Sequence, residues 1–242
     1  MTTQNLVLLP GLLCDQTVWQ HQIDGIQDLA NSSCVDYGTA DSLVEMAKLV
    51  LRQAPPAFAL AGHSMGGRVA LEVCRLAPER VLRVALFDTG YLAKPAGEPG
   101  EREAQGRYAL LAISKQEGMR AMAEQWLPPM LHPSRHTDAS LVEEIISMIA
   151  RKTPEIHAAQ TKALLDRPDA SELLATIRCP SLLLTGEQDS WSPPSAHAAM
   201  AAAIPNSTLV VIPECGHMAT MERPEAVTAA MRDWLAAPPR VA

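Results

Sequence analysis

The sequence predicts a doubly wound α/β domain with a mostly parallel, six-stranded sheet and one helical cap insertion. Two observations carry this expectation. Short apolar runs alternate with helical patterns over residues 6–87 and again after residue 180, the rhythm of strands buried on both faces by helices. Between them, residues 94–178 hold helical patterns and no convincing strand. Size agrees: 242 residues, 48% of them hydrophobic, suffice for one large domain with a real core.

The elements follow in order. Leu6, Val7, Leu8 and Leu9 form a first strand, ended by Pro10 and Gly11. Residues 16–30 read as a helix and residues 34–37 as a weak strand. Residues 41–54 start at a capping residue, Asp41, and Leu43, Val44, Met46, Ala47, Val50 and Leu51 share one apolar face. Residues 57–61 are a strand, 65–76 a helix closed by Ala77 and Pro78, and 81–87 another strand. A Pro/Gly-rich loop from Lys94 leads into helices at 101–113, 115–126, 138–152 and 154–165. Thr153 is a fitting N-cap there, with Pro154 in the first helical position. Strands at 181–185 and 207–212 and helices at 194–203 and 224–235 restore the first rhythm. The expected division is a core of residues 1–93 and 179–242 and a helical cap of residues 94–178.

Composition narrows the function. The net charge is −7 and no Lys/Arg run occurs, so neither nucleic acid nor an anionic membrane is an expected partner. The apolar run after Asn5 is only four residues long, too short for a signal-peptide core, and nothing resembles a membrane span. The five cysteines are odd in number, widely spaced and free of C-x-x-C, which fits reduced thiols in a cytoplasm. His132 and His136 stand four apart, but Pro133 lies between them and no acidic third ligand is obvious. No metal and no other cofactor is expected.

The chemistry centres on Gly62-His63-Ser64-Met65-Gly66, which fits G-x-S-x-G between a strand and a helix. A serine on such a sharp turn is pushed out of the sheet, and the helix N-terminus aims free N–H groups at it. The bland alternative is a glycine-rich turn that only links the two elements. His217, in the glycine-containing loop after the last strand, is the candidate base, since loops beyond the carboxyl ends of parallel strands carry the sites of such sheets. His63 adjoins the serine but must diverge from it and reads as structural or pocket-lining. Asp88 and Asp189 both lie beyond carboxyl ends of strands and both are candidates to orient the base, with Glu187 a weaker third.

Four segments together resemble the α/β-hydrolase-fold serine hydrolases. They are Leu9-Pro-Gly-Leu-Leu13, the stretch Gly62–Gly67, the loop from Gly186 to Pro194, and Glu214-Cys-Gly-His-Met218. Within that family the chain is most similar to small capped carboxylesterases and enol-lactonases. The usual N-terminal hairpin is missing, because the first strand already runs into the oxyanion-type loop. By the family's strand order residues 34–37 then become a sheet edge, which suits Asp36. The resemblance implies Ser64 as nucleophile, His217 as base and Asp189 rather than Asp88 as its orienting acid. It places the oxyanion donors at the backbone N–H groups of Leu12 and Met65. Leu13, His63, Trp126, Met130, Trp191 and Met218 are the candidate pocket residues.

With no cationic cluster apparent, the expected substrate is a small, mostly apolar carboxylic ester or lactone. Thioester or C–C bond hydrolysis on the same three residues stays open, as does a slow-turnover ligand-binding protein. Oligomeric state is not legible.

Overall fold

The computed structural model describes residues 3–237. Its six strands are β1 (Gln4–Leu9), β2 (Ala30–Cys34), β3 (Phe58–His63), β4 (Val81–Phe87), β5 (Ser181–Gly186) and β6 (Ser207–Ile212). They form one sheet in the order β2-β1-β3-β4-β5-β6, and every neighbouring pair is parallel. β3 and β5 are buried along their whole length, which is why they read as continuous apolar runs rather than alternating ones. β2 and β6 are the edges, and both expose part of each strand.

Helices α1 (Gln20–Gly25), α2 (Leu43–Gln53) and α3 (Met65–Leu76) lie between the first strands. Five more follow β4 before the chain returns to β5: α4 (Glu98–Gln116), α5 (Met119–Trp126), α6 (Ala139–Ala150), α7 (Pro154–Leu165) and α8 (Ser171–Leu174). Then come α9 (Pro194–Ala203), α10 (Ala219–Glu222) and α11 (Pro224–Ala236). α2 packs on α3, and α1 on α10 and α11. Among the described residues no helix is long and apolar enough to cross a membrane. All five cysteines are unbridged.

Three local expectations fail, each for a physical reason. β2 is Ala30–Cys34, not residues 34–37. Its residues Ala-Asn-Ser-Ser-Cys carry little apolar signal, because an edge strand has few side chains to bury. Asp36 lies beyond it and makes an Asx turn, accepting from the Gly38 N–H at 3.0 Å. The strand is the sheet edge, as expected, but Asp36 is no evidence for that. Residues 16–30 do not form one helix. A short 3-10 turn (Gln16–Trp19) precedes α1, which ends at Gly25. Finally, Ser42 and not Asp41 caps α2, its hydroxyl accepting from the Glu45 N–H at 3.1 Å.

The order of the strands reverses between β1 and β3, because β1 carries β2 on its other side. A crevice at such a switch point, beyond the carboxyl ends of the strands, is the natural binding place of an open α/β sheet. Leu12 follows β1 and Ser64 follows β3, so the fold brings the two loops together there.

Candidate active site

Ser64 sits between β3 and α3 at φ 54° and ψ −116°, a left-handed region that a non-glycine residue enters at a cost of about 1–3 kcal/mol. Its surroundings over-determine that angle. A Cβ at Gly62 would meet the Gly66 carbonyl oxygen at 2.3 Å, and one at Gly66 would meet the Leu9 carbonyl oxygen at 2.1 Å. Only glycine lets the start of α3 pass that close to β1 and β3. The Ser64 N–H donates to the Phe87 carbonyl at 2.8 Å, and the Thr89 hydroxyl donates to the Ser64 carbonyl at 2.6 Å.

Ser64 Oγ lies 2.8 Å from His217 Nε2, and His217 Nδ1 lies 2.8 Å from Asp189 Oδ2. The second contact fixes the tautomer: Nδ1–H donates to the carboxylate and leaves the Nε2 lone pair facing the hydroxyl. Asp189 Oδ1 accepts from the N–H groups of Trp191 and Ser192, both at 2.9 Å. Burial pushes its carboxyl up, but the His217 ring and those two N–H groups outweigh burial and hold it below the ordinary carboxylate range.

Asp88 is placed otherwise. It is wholly buried, and its oxygens accept from the N–H groups of Gly186 (3.0 Å) and Ala219 (3.2 Å). It thus ties the β4 end to the loops after β5 and β6. Burial, with the Asp189 charge added, pushes it well above the ordinary carboxylate range. His63 Nε2 donates to the His217 carbonyl at 2.8 Å, behind the serine. Glu187 lies on the surface and bonds Gln188.

The loop that carries His217 is held by a residue the sequence did not single out. Glu222, buried at the end of α10, accepts from the N–H groups of Gly216 (3.0 Å) and Met218 (3.2 Å) with one oxygen. Its other oxygen accepts from the His132 N–H at 2.8 Å. The His217 N–H itself donates to the Met130 carbonyl at 2.6 Å. The loop is therefore fastened to residues 130–132 of the helical segment between β4 and β5. Glu222→Ala should strand three N–H donors, at about 1–3 kcal/mol each where they stay buried. The expected result is a clear fall in melting temperature together with lower turnover. An unchanged melting temperature would show that the loop holds itself.

The Leu12 and Met65 N–H groups donate to no protein acceptor among the described residues. Both residues line a cavity of about 540 Å³ above Ser64, with Trp126, Trp191 and His217. A narrower pocket beside it is lined by His63, Met130 and Met218 among others. Leu13 lines neither. It is fully buried at φ 61°, and its N–H donates to Gln160 Oε1 at 2.8 Å. It shapes the loop from behind instead of touching the cavity. Trp126 and Trp191 stack at 5.9 Å between ring centroids, and Trp191 lies 5.0 Å from the His217 ring. The sequence shows no cationic cluster, but the fold assembles one at the cavity wall. Arg68, Arg102, Arg107 and Arg167 all reach it, drawn from three separate parts of the chain.

His63, His157 and His197 are pressed down to about 4 by burial, His63 also by the nearby His217 and His157 by Arg107. The geometry agrees. His63 Nδ1 is buried without a partner, and His197 Nε2 accepts the Thr89 N–H at 3.2 Å, which a protonated ring could not do. An NMR titration of the ring nitrogens should find all three neutral at about pH 5.5, below the ordinary histidine midpoint. A midpoint above about 6 for any of them would contradict this. Between about pH 6.5 and 4 an unfolded ring holds a proton that the folded one does not, so each weakens the fold as pH falls through that window. Asp88 and Glu222, raised chiefly by burial, act in the opposite sense.

Comparison with known proteins identifies the family. A family model described as "Alpha/beta hydrolase family" matches residues 6–230. A pimeloyl-[acyl-carrier protein] methyl ester esterase of Pectobacterium carotovorum is 30% identical over 237 residues, covering 93% of this chain and 91% of its own. Among solved structures, a thermophilic esterase from Thermogutta terrifontis superposes with a TM-score of 0.85 at 30% identity, over 97% of this chain and 90% of that one. The enol-lactonase from Burkholderia xenovorans gives 0.84 at 20% identity, over 98% and 93%, a likeness of fold. Strand order, the strained serine turn and the whole-length match converge: this chain belongs to the alpha/beta hydrolase family.

Proposed function

We propose that the protein is an ester hydrolase in which Ser64 attacks the ester carbonyl, His217 moves the proton, and Asp189 holds His217 in place. The observation that carries this is the unbroken series Ser64 Oγ–His217 Nε2 and His217 Nδ1–Asp189 Oδ2, each 2.8 Å, at the floor of a cavity. A serine hydroxyl is a poor nucleophile until a base takes its proton. In this reading Nε2 accepts that proton as Oγ bonds to the carbonyl carbon. The carbonyl oxygen, now negative, accepts from the N–H groups of Leu12 and Met65, which are free for it. Nε2–H then donates to the departing alcohol oxygen. A water, deprotonated by the same nitrogen, releases the acid and restores Ser64. Charge on the imidazolium is stabilised by the Asp189 carboxylate throughout.

The relatives and the cavity support a substrate class. Two relatives 30% identical to the chain are named as pimeloyl-[acyl-carrier protein] methyl ester esterases, and a cavity of about 540 Å³ suits a small carboxylic ester with a small alcohol. Residues 94–178 act as a cap over it, no cofactor enters the reaction, and the site of action is the cytoplasm. Hydrolysis of p-nitrophenyl acetate and of simple methyl esters by the purified protein tests the reading. Turnover of thioesters or C–C substrates with none of esters would overturn it.

Trp126 roofs this pocket. It is half-buried and rests on Trp191, so Trp126→Ala should cost less than the roughly 3–5 kcal/mol of a core aromatic. The preference among acyl chains should move towards bulkier groups. A large loss of melting temperature with an unchanged chain-length profile would assign Trp126 to the core instead.

A further inference from the structure

We infer that the ester substrate carries a free carboxylate at the far end of its acyl half, held by Arg68 with Arg167 beside it. This deepens the ester-hydrolase reading of Ser64 and rests on it. Arg68 lies four residues beyond Ser64 on α3, about 6 Å further along the helix, and its side chain reaches the same cavity.

The wall of that cavity is short of negative charge. Arg167 and Arg107 share one carboxylate, Glu103. Arg167 takes it in a two-pronged contact at 2.5 and 2.8 Å, and Arg107 Nε lies 3.0 Å away. Arg102 pairs at the exposed rim with Glu98, 3.5 Å away. No carboxylate oxygen lies within ion-pair distance of Arg68 among the described residues. Asp169, whose charge also reaches it, gives its oxygens to the N–H groups of Ser171 and Ala93. Instead Arg68 Nη1 donates to the Leu92 carbonyl at 2.8 Å, and Arg167 Nε donates to the same oxygen at 3.2 Å. Two guanidiniums thus converge on one neutral acceptor. Burial, and then Arg167, lower the proton affinity of Arg68 to about 9.

Two like charges brought together in a partly closed cavity are unfavourable unless an anion joins them. A planar carboxylate matches the fork of a guanidinium. With the small alcohol of the ester-hydrolase reading, the acyl half is the part long enough to carry it. The substrate class is therefore the half-ester of a short dicarboxylic acid.

Binding and turnover test this separately. Calorimetry on Ser64→Ala, in a buffer free of carboxylate and phosphate, compares monomethyl adipate with dimethyl adipate, which has the same chain without the charge. The monoanion should bind about ten-fold tighter or more. Adding Arg68→Gln should bring the two ligands to within about two-fold, and Arg68→Lys, which keeps charge without the fork, should fall between. Because each readout is a ratio on one protein, partial loss of folded material cancels. Equal binding of the two ligands to Ser64→Ala, or a preference that survives Arg68→Gln, would overturn the inference. In the protein with Ser64 intact, kcat/KM should favour monomethyl adipate by a similar factor. Binding preference without turnover of any ester would condemn the hydrolase reading and leave the carboxylate subsite standing. Turnover of p-nitrophenyl acetate without any binding preference would do the reverse.

Discussion

Ser64→Ala is expected to lower turnover of a p-nitrophenyl ester by about 10⁴–10⁶ and to abolish labelling by a serine-directed phosphonate. The wild-type chain should take up one label. The structure makes this a clean experiment. Losing Oγ removes one contact, to His217 Nε2, while the turn is held by backbone: the Ser64 N–H on the Phe87 carbonyl and the Thr89 hydroxyl on the Ser64 carbonyl. Alanine inherits the same left-handed angles, so the strain neither rises nor falls by much. The melting temperature should stay close to that of the parent. Continued labelling of the alanine protein, checked by intact mass, would place the nucleophile elsewhere.

Asp189→Asn should be the next most damaging change, with a loss in kcat of up to about 10⁴. An amide can offer an N–H to His217 Nδ1. The ring would then carry its proton on Nε2 and present no lone pair to Ser64. It would also lose the negative charge that stabilises the imidazolium. Asp88→Asn should do far less. Asp88 is already pushed towards its neutral form by burial and by Asp189, and an amide resembles a protonated carboxyl in shape and charge. Its cost should appear as stability, since one of the two N–H donors, Gly186 or Ala219, loses a good acceptor. Steady-state kinetics at matched folded fraction decide. A reversed ranking of the two mutants would make Asp88 the partner of His217.

How far the sequence could be read depended on whether a signal was local. Ser64 and His217 are each announced within a few residues, by a strand end and a small loop, whereas Asp189 shares its strand-end signal with Asp88 and only the family resemblance favours it. β2 was misplaced because an edge strand with one wet face needs no apolar pattern. Glu222 looks like any acidic residue at the end of a short helix. Only the folded loop shows that it bonds the backbone on either side of His217. The arginines hide in a different way. Glu103 and Arg107 are four apart on α4 and read as an ordinary surface pair, while Arg68 and Arg167 come from distant segments. Their convergence on the Leu92 carbonyl is a property of the tertiary fold alone, and so the charge of the cavity could not be read from the sequence.

The fastening of the His217 loop to residues 130–132 makes that stretch and the base one mechanical part. Lifting that stretch off the sheet would break the His217 N–H bond to the Met130 carbonyl and the Glu222 bond to the His132 N–H. The imidazole would leave Ser64 in the same stroke. Entry through this side and proton transfer are thus mutually exclusive, as in an interlocked door that cuts the current when opened. The cavity above Ser64 is lined by α4 residues, Trp126 and the arginines, and none of these side chains carries the bonds that fasten the His217 loop.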